Sequence, residues 1–535
     1  MKVKSSLCKK QNVNSCVAFI LKCIFVLLPC VYVFLICWRF NMDVMNLPAT
    51  VNDEIGWYTQ VFSVVEYGRP LGYHGYNGTH AAIGTYGAWG AGSIWFLALF
   101  VRLLRYILPF PDFSIYIFNN LLWACMANLI LILCAKPDVK KLLRFIAVYI
   151  LLFVNHEYIF LGMAETMRYS MSIILAGLTI FLWNRHDHRC YRVVLYGVAP
   201  LVILSFMTSY IMYAVVLPLW ILAVYRNMPV AHNHKTVFLS LGICFFLSVT
   251  AGIYYVGGQY SSPYVTDVIS DILTAFQQGV VHGVTQLFRH VRNNLNRCSL
   301  QYLWDARSDS FGWYMAYLVT YYVACIYLLA CFLTGRKRMC AKDWEFHGIG
   351  AYMVVAFLTA FVLLYDTVTP TLVRGINVGL VYTLFLICMS DKGMTIKRYT
   401  IVMLLTLVPF LMFLRGDVIR NHKVPELEKD YQQIFAEHID IDEEKNPWEN
   451  TVALYGVDGR EIMLLPVGVG INNMISWQPN EQARYVLYMI DTTDMELDEI
   501  REKEYIPEIT WQTHELLYRD NEMVLMRNKV PVLPE

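Results

Sequence analysis

Long apolar runs separated by short polar connections dominate the chain from residue 17 to residue 415. A run of about 20 apolar residues is long enough to cross the hydrocarbon core of a bilayer as a helix. The runs are Val17–Trp38, Ser114–Ala135, Leu142–Leu161, Tyr169–Trp183, Val193–Thr208, Ile211–Tyr225, Val237–Tyr255, Phe311–Thr334, Gly348–Tyr365, Gly375–Met389 and Tyr399–Leu414. This pattern predicts an all-α polytopic membrane protein with about 11 transmembrane helices.

A further run, Tyr86–Leu108, is ambiguous because it carries Arg102 and Arg105 near its end. Basic residues concentrate in the cytoplasmic loops of membrane proteins. If this run spanned the membrane, the basic residues at 136–144 would lie outside, and every later connection would be reversed. An interfacial or re-entrant helix keeps them cytoplasmic. We therefore predict a multi-pass plasma-membrane protein with a cytoplasmic N-terminus, residues 1–16, and a transmembrane domain over 17–415.

Two long extracytoplasmic loops follow from this topology, at residues 39–113 and 256–310. In the second, Val268–Leu303 alternates apolar with basic or amide residues, which predicts an amphipathic helix lying on the membrane. In the first, a short amphipathic segment, Ile55–Tyr67, comes before a loop rich in glycine and aromatic residues. Polar residues concentrated beside a membrane indicate a functional site at the water–lipid boundary.

The composition changes after residue 415, where residues 416–535 hold most of the carboxylates. Thr451–Tyr455 and Tyr485–Asp491 are predicted strands, and Glu496–Glu504 is a predicted helix. Glu515–Tyr518 and Met523–Arg527, which flank a turn, predict a hairpin. The tail is therefore predicted to be a small extracytoplasmic α/β soluble domain. It carries no phosphate loop, nucleophile elbow or metal motif of its own.

Composition supports the membrane class. The chain has 535 residues, 57% hydrophobic and 16% charged, with a mean hydropathy of +0.43, whereas soluble domains carry about 25% charged residues. Most of the 14 cysteines lie in apolar runs and none forms a CxxC pair, so neither a disulfide framework nor a zinc site is supported. The net charge of +1 identifies no partner, and no nucleic acid is expected.

The adjacent acids Asp53 and Glu54 open the amphipathic segment of the first loop. One interpretation is structural, because Asn52 or Asp53 can cap a helix and an acid interacts favourably with its dipole. The other is catalytic, because a carboxylate beside the membrane can accept a proton from a hydroxyl or hold a divalent cation against a phosphate.

These residues resemble the GT-C superfamily of membrane glycosyltransferases. One span is followed by an outer loop with an Asp-Glu pair, Asp53-Glu54, then by the aromatic Tyr58 four residues on and by an interfacial helix. The likeness is to aminoarabinose transferases and protein O-mannosyltransferases, and it covers roughly residues 17 to 225. It implies a sugar donor carried on a polyprenyl phosphate and an active site that includes Asp53 and Glu54. The family's second acid, commonly Asp, corresponds to Glu165 here.

The resemblance implies inverting transfer of a sugar to a cell-surface glycan, lipid or protein acceptor at the outer membrane face. Arg69, Arg168 and Arg374 are candidates to bind the leaving phosphate, and each can equally anchor to membrane lipids. Tyr58, Tyr73 and His74 are the candidates to line the acceptor side. The alternatives are an interfacial aromatic belt for the tyrosines and an ordinary loop residue for the histidine.

A divalent cation, Mg²⁺ or Mn²⁺, between Asp53 and the donor phosphate is a further expectation, because oxygen ligands opposite a phosphate suit either ion. Transfer without a metal also occurs in the superfamily. Two other function classes stay open, a transporter or flippase of a lipid-linked saccharide and a non-catalytic membrane scaffold. Transporters place acids near the midplane within paired repeats, which this sequence lacks. A scaffold has no need of Asp53 or Glu165.

Overall fold

The computed structural model describes residues 2–41, 51–69, 73–74, 80–81, 91–110, 112–153, 167–185, 187–199, 263–297, 333, 341–364, 379, 381–389, 431–441, 451–456, 465–466, 469–472 and 483–530. Most of these residues are helical, and a small sheet lies near the C-terminus. The secondary structure predicted for the two parts, mainly helical before the tail and α/β within it, thus agrees with that of the described residues. The predicted spans Ile211–Tyr225, Val237–Tyr255 and Tyr399–Leu414 lie outside the described part, as do most of Phe311–Thr334 and the second half of Val193–Thr208.

The chain divides into two compact units. The first comprises residues 1–44, 120–247 and 262–422, and the second comprises residues 45–119, 248–261 and 423–535. The helices of the first are α1 (Lys2–Phe40), most of α4 (Asp112–Ala135), α5 (Val139–Phe153), α6 (Met167–Asn184), α7 (Pro263–Gln278), α8 (Val280–Arg297) and α9 (Ala341–Leu364). A helical turn at Tyr191–Val193 continues as a π-helix, Val194–Val198, and residues 381–388 are helical.

Two of the described helices are long and apolar enough to cross a membrane, Cys16–Arg39 within α1 and Ser114–Ala135 within α4. The α1 helix leaves large apolar side chains uncovered, with Phe19 and Phe34 each 67% exposed and Trp38 72% exposed. Such a surface suits hydrocarbon, in which every backbone polar group must be satisfied inside the helix.

A proline within α1 shows how this requirement is met. Pro29 has no N–H, so the carbonyl of Phe25, four residues earlier, loses its helical partner. The Nδ2 atom of Asn128 on α4 donates to that carbonyl oxygen at 2.9 Å. Phe25 also packs against Phe145 and Tyr149 of α5, each with ring centroids 5.8 Å apart. The bond and the ring contacts together hold α1 against α4 and α5.

The second unit contains the first loop and the tail. Its elements are α2 (Val51–Tyr67), β1 (Tyr73–His74), β2 (His80–Ala81), α3 (Ala91–Ile107), the start of α4, α10 (Tyr431–His438), β3 (Thr451–Tyr455), β4 (Gly470–Asn472), β5 (Tyr485–Met489), α11 (Leu497–Glu502), α12 (Glu508–Thr513), β6 (His514–Arg519) and β7 (Met523–Asn528). The strands predicted in the tail are therefore confirmed, with β5 ending two residues before its predicted end.

The tail forms a five-stranded mixed sheet in the order β4-β3-β5-β7-β6. Strand β3 pairs in parallel with β4 and β5, and β7 pairs antiparallel with β5 and β6. Val486, Val524 and Met526 are fully buried at its centre, against Ile500 of α11. The predicted hairpin turn forms because Asp520 Oδ1 accepts from the backbone N–H groups of Glu522 and Met523.

Two helix boundaries differ from the prediction. The amphipathic helix expected over Val268–Leu303 is two helices, α7 and α8, because Gly279 between them has φ +149°, outside the helical region. The first-loop helix begins at Val51 and not at Ile55, so neither Asn52 nor Asp53 is its N-cap. Both acids of the pair lie inside the helix.

Candidate functional site

The acid pair of the first loop lies at the start of α2. Asp53 is the third residue of this helix and Glu54 is the fourth. Carboxylates in the first turn of a helix interact favourably with the helix dipole. The structure describes the backbone of these two residues but not their side chains. The two acids of the predicted site are therefore adjacent residues in the first turn of α2.

Tyr58 lies one turn further along and faces inward. It is only 5% exposed, with its ring 4.5 Å from Phe62 and 5.3 Å from Tyr116 of α4, the latter edge to face. Burial and the nearby Asp112 carboxylate raise the pKa of Tyr58, so its hydroxyl stays protonated at neutral pH. In the described structure Tyr58 thus helps to pack α2 against α4.

The C-terminal half of α2 is held by four residues that we call the Arg105 clamp: Phe62 and Glu66 of α2, Arg105 of α3 and Asp112 of α4. The Nη1 atom of Arg105 lies 2.5 Å from Glu66 Oε1, and its Nε donates to Asp112 Oδ1 at 2.7 Å. Its Nη2 bonds the other oxygen of Asp112, and the guanidinium carbon lies 5.2 Å from the centre of the Phe62 ring.

The clamp keeps its arginine charged. Burial by itself disfavours the cation, but the hydrogen bonds to Asp112 and Glu66 outweigh it and raise the pKa of Arg105. A planar guanidinium that meets a carboxylate with two parallel bonds also fixes orientation. The clamp therefore fixes α2 relative to α3 and to the start of α4. Sequence reasoning missed it, and its only signal was the arginine at the end of an apolar run.

The same helices bury polar side chains. Gln60 and Ser63 of α2 and Asn119 of α4 are each 0% exposed. Within the described part of the chain, the Ser63 hydroxyl and both polar atoms of the Asn119 amide have no hydrogen-bond partner. Water or a polar ligand would satisfy them. The contact between α2 and α4 thus buries polar side chains that a helix in contact with lipid alone does not need.

Two further candidates lie on a small hairpin next to α2. Strand β1 holds Tyr73 and His74, pairs antiparallel with β2, and contacts both α2 and strand β4 of the tail. The two-residue strands have no periodicity to reveal them, and the sequence analysis treated this stretch as loop. The structure places the backbones of Asp53, Glu54, Tyr58, Tyr73 and His74 on two contacting elements.

The three arginine candidates are placed differently. Arg69 is exposed and follows Gly68, whose N–H donates to Val64 O where α2 ends with φ +68° at the glycine. Arg168 is the second residue of α6, which belongs to the first unit. Glu165 and Arg374 lie outside the described residues.

The length of α2 separates Asp53 from Arg69. Asp53 and Tyr67 are 14 residues apart in α2, and a rise of 1.5 Å per residue corresponds to about 21 Å. Asp53 thus lies in the first turn of α2, whereas Arg69 lies just beyond its last residue. They cannot both contact the same sugar phosphate bond.

Among the described side chains, no group of three or more His, Cys, Asp or Glu residues could hold a metal ion. The carboxylate of Asp53 is not among those side chains. An ion at Asp53 therefore stays a prediction.

No protein-family model matches the sequence, and a search of curated proteins found no match. Solved structures do match. One is the archaeal oligosaccharyltransferase AglB from Archaeoglobus fulgidus in complex with an inhibitory peptide and a dolichol-phosphate, at TM-score 0.47 and 10% identity over 90% of this chain and 70% of that chain. Another is the oligosaccharyltransferase of Archaeoglobus fulgidus in complex with Zn and sulfate, at TM-score 0.45 and 10% identity over 94% and 73%.

A third similar structure is ArnT from Cupriavidus metallidurans bound to undecaprenyl phosphate, at TM-score 0.37 and 11% identity over 96% of this chain and 99% of that chain.

Proposed function

We propose that this protein is a membrane glycosyltransferase that transfers a sugar from a polyprenyl-phosphate donor to an acceptor at the extracytoplasmic face. The observation that carries the proposal is the position of Asp53 and Glu54. They occupy the first turn of a helix that directly follows a long apolar helix and is fixed at its other end by the Arg105 clamp. Catalytic groups need such support, because a misplacement of about 1 Å can cost about 100-fold in rate.

Asp53 is the proposed general base. The acceptor oxygen forms a bond to the anomeric carbon while the bond from that carbon to the phosphate oxygen breaks, so the phosphate leaves with the electron pair. The acceptor proton passes to the Asp53 carboxylate as the new bond forms, and the pKa of Asp53 therefore need not be raised far. Attack opposite the leaving group inverts the configuration. Glu54, the next residue of α2, is proposed to serve mainly the start of the helix. Glu165, in the connection after the predicted span Leu142–Leu161, is proposed to orient the groups around Asp53.

The leaving phosphate needs positive charge, and Arg168 is the proposed group. A guanidinium can meet two phosphate oxygens at once. Arg69, which follows the opposite end of α2 from Asp53, is assigned instead to a more distant part of the donor or to lipid headgroups. Arg374 stays a candidate for the phosphate. Tyr73 and His74 on β1 are proposed to contact the acceptor, whereas Tyr58 supports α2 from inside.

We propose that the first loop and the tail lie on the same face of the membrane. The contact of strand β1 of the loop with β4 of the tail supports this arrangement. The distribution of basic residues assigns that side to the exterior. The tail would then lie beside the acceptor site and bind part of the acceptor.

Analysis of cellular glycans, glycolipids and glycoproteins tests this function. A strain without the gene should lack one sugar modification, the parental gene should restore it, and the Asp53→Asn gene should not. The matched control is Asp494→Asn, an exposed turn residue at φ +59°, where asparagine is equally acceptable. A scaffold function predicts that both variants restore the parental pattern, and that result would overturn the proposal.

A transporter or flippase function predicts a different change. Loss of transport leaves a lipid-linked sugar on the cytoplasmic side, whereas loss of transfer leaves the donor available outside. The side on which the donor accumulates in the Asp53→Asn strain therefore separates these two functions.

A further inference from the structure

Helix α8 exposes an apolar stripe that the described part of the chain does not cover. Val281 is 81% exposed, Phe288 is 70%, Leu295 is 53% and Val284 is 40%. Their spacing of three, four and seven residues puts these four side chains on one face of the helix. Uncovered apolar side chains in such a row mark a contact surface for a partner or a membrane.

The same helix is basic along its polar side. Val280–Arg297 contains Arg289, Arg292 and Arg297 and no carboxylate. Arg289 and Arg292 are exposed. The preceding helix α7 is different, because it carries acids, among them the exposed Asp271. Positive charge is therefore concentrated on α8, next to the apolar stripe.

A hydrogen bond fixes where this helix lies. The Nδ2 atom of Asn294 donates to the backbone carbonyl of Val362 at 3.0 Å, and Asn294 is 1% exposed. Val362 is two residues before the end of α9, whose apolar part, Gly348–Tyr365, is a predicted span. The C-terminal half of α8 is thus tied to one end of a predicted span, and the ends of a span lie at the depth of the lipid headgroups.

The exposed surface of α9 is apolar as well. Val355 is 50% exposed and Leu363 is 38% exposed, which suits contact with acyl chains. A surface that changes from apolar on α9 to mixed apolar and basic on α8 follows the profile of a bilayer from its interior to its headgroups.

We propose that α8 is an interfacial helix that binds anionic phospholipids. Val281, Val284, Phe288 and Leu295 enter the boundary between headgroups and acyl chains, and Arg289 and Arg292 bind lipid phosphates. Each arginine near an anionic surface strengthens binding by about fivefold, and salt screens the effect. This inference concerns a surface distinct from the acid pair of α2 and stands without the proposed glycosyl transfer.

Hydrogen exchange of the α8 backbone amides tests it, with the full chain in nanodiscs of phosphatidylcholine alone or mixed with phosphatidylglycerol. We expect phosphatidylglycerol to slow exchange in α8, and added salt to reverse the slowing. In Arg289→Gln/Arg292→Gln this slowing should fall by about 25-fold, which is the product of two fivefold effects. The matched control Asp271→Asn removes a charge of opposite sign on α7 and should preserve or increase the slowing. Phe288→Ser should speed exchange in both lipids because it removes apolar anchoring.

Three results would overturn the proposal. The first is equal exchange of α8 in both lipids for the parental chain. The second is protection that depends on protein concentration together with a dimer in mass photometry, which would assign the stripe to a second copy of this chain. The third is protection by added polyprenyl phosphate but not by phosphatidylglycerol, which would make α8 part of a donor site. An unchanged melting temperature in the double arginine variant confirms that a loss of slowing comes from lipid binding and not from unfolding.

Discussion

The Arg105 clamp and the ion pairs of the C-terminal tail use the same residue types in different surroundings. In the clamp, the side chains of Arg105 and Asp112 are 27% and 24% exposed. In the tail, Arg501 Nε donates to Glu508 Oε2 at 2.6 Å with both side chains 51% exposed, and Arg527 lies 2.7 Å from Glu515 with both 48% exposed. The distances are alike, so the surroundings determine what each pair contributes.

Exposure to water explains why these pairs contribute differently to stability. An exposed pair is screened by solvent and contributes little to stability, because its gain is offset by lost side-chain freedom. A partly buried arginine with two carboxylates and an aromatic ring leaves charges without partners if one member is removed. The clamp therefore fixes the helix that carries the acid pair, whereas the pairs of the tail lie on the surface of a fold that its apolar core already stabilises.

Removing the clamp arginine should have the largest effect on stability. Arg105→Ala leaves Glu66 and Asp112 without their cation, and we expect unfolding to become easier by about 1–3 kcal/mol, since the site is only partly buried. Thermal melting of the purified protein in detergent measures this. The control is Arg102→Ala, an exposed arginine on the same helix. Equal melting temperatures for the two variants would show that the clamp contributes no more than a surface charge.

A buried histidine of the tail should make stability depend on pH. His514 is 2% exposed, its Nε2 lies 3.0 Å from Ala483 O, and burial lowers its pKa below 6.5. The folded state thus holds this histidine neutral, and its contribution is complete above the pKa of the unfolded chain. Stability is lost as the pH falls below about 6.5, because the unfolded state then binds a proton that the folded state does not.

Urea unfolding of the full chain, followed by hydrogen exchange of β5 and β7, measures that dependence. His514→Gln should flatten the part of the profile below pH about 6.5, even if it lowers stability at every pH. A profile with the same slope in both proteins would mean that other groups cause the acid sensitivity.

Breaking an exposed pair of the tail should have the smallest effect. Arg501→Gln removes the contact with Glu508, and we expect the melting temperature to stay that of the parent because water replaces the lost partner. A decrease as large as that of Arg105→Ala would remove the distinction between the two regions.

The sequence predicted the tail better than the first loop, because the patterns that indicate the tail's strands and turn are local in the sequence. Strands β5 and β7 are either alternating or continuously apolar over several residues, and Asp520 forms the turn with residues next to it in the sequence. Neighbouring residues are therefore enough to predict these elements. The Arg105 clamp joins Glu66 to an arginine 39 residues later in the sequence, a pairing that no local pattern encodes.

Two predicted helix boundaries were wrong for a related reason. Asn52 and Asp53 are good capping residues, but α2 begins before them. Gly279 alone divides the predicted amphipathic helix, and a single glycine within a helical pattern is often tolerated. The sequence nevertheless indicated that the acid pair follows the first apolar helix and lies near the start of an amphipathic helix, because this order depends on hydropathy alone.

The central claim is that Asp53 is the base of a sugar transfer, and the turnover of purified enzyme tests it most directly. Asp53→Asn keeps the size and hydrogen bonding of the side chain but removes its basicity. With the donor and acceptor identified by the glycan analysis, we predict that turnover falls by about 10²–10⁴-fold, while the melting temperature stays normal and Asp494→Asn retains the parental rate. Transfer by normally folded Asp53→Asn protein at the parental rate would contradict the assignment of Asp53 and of the site built around α2.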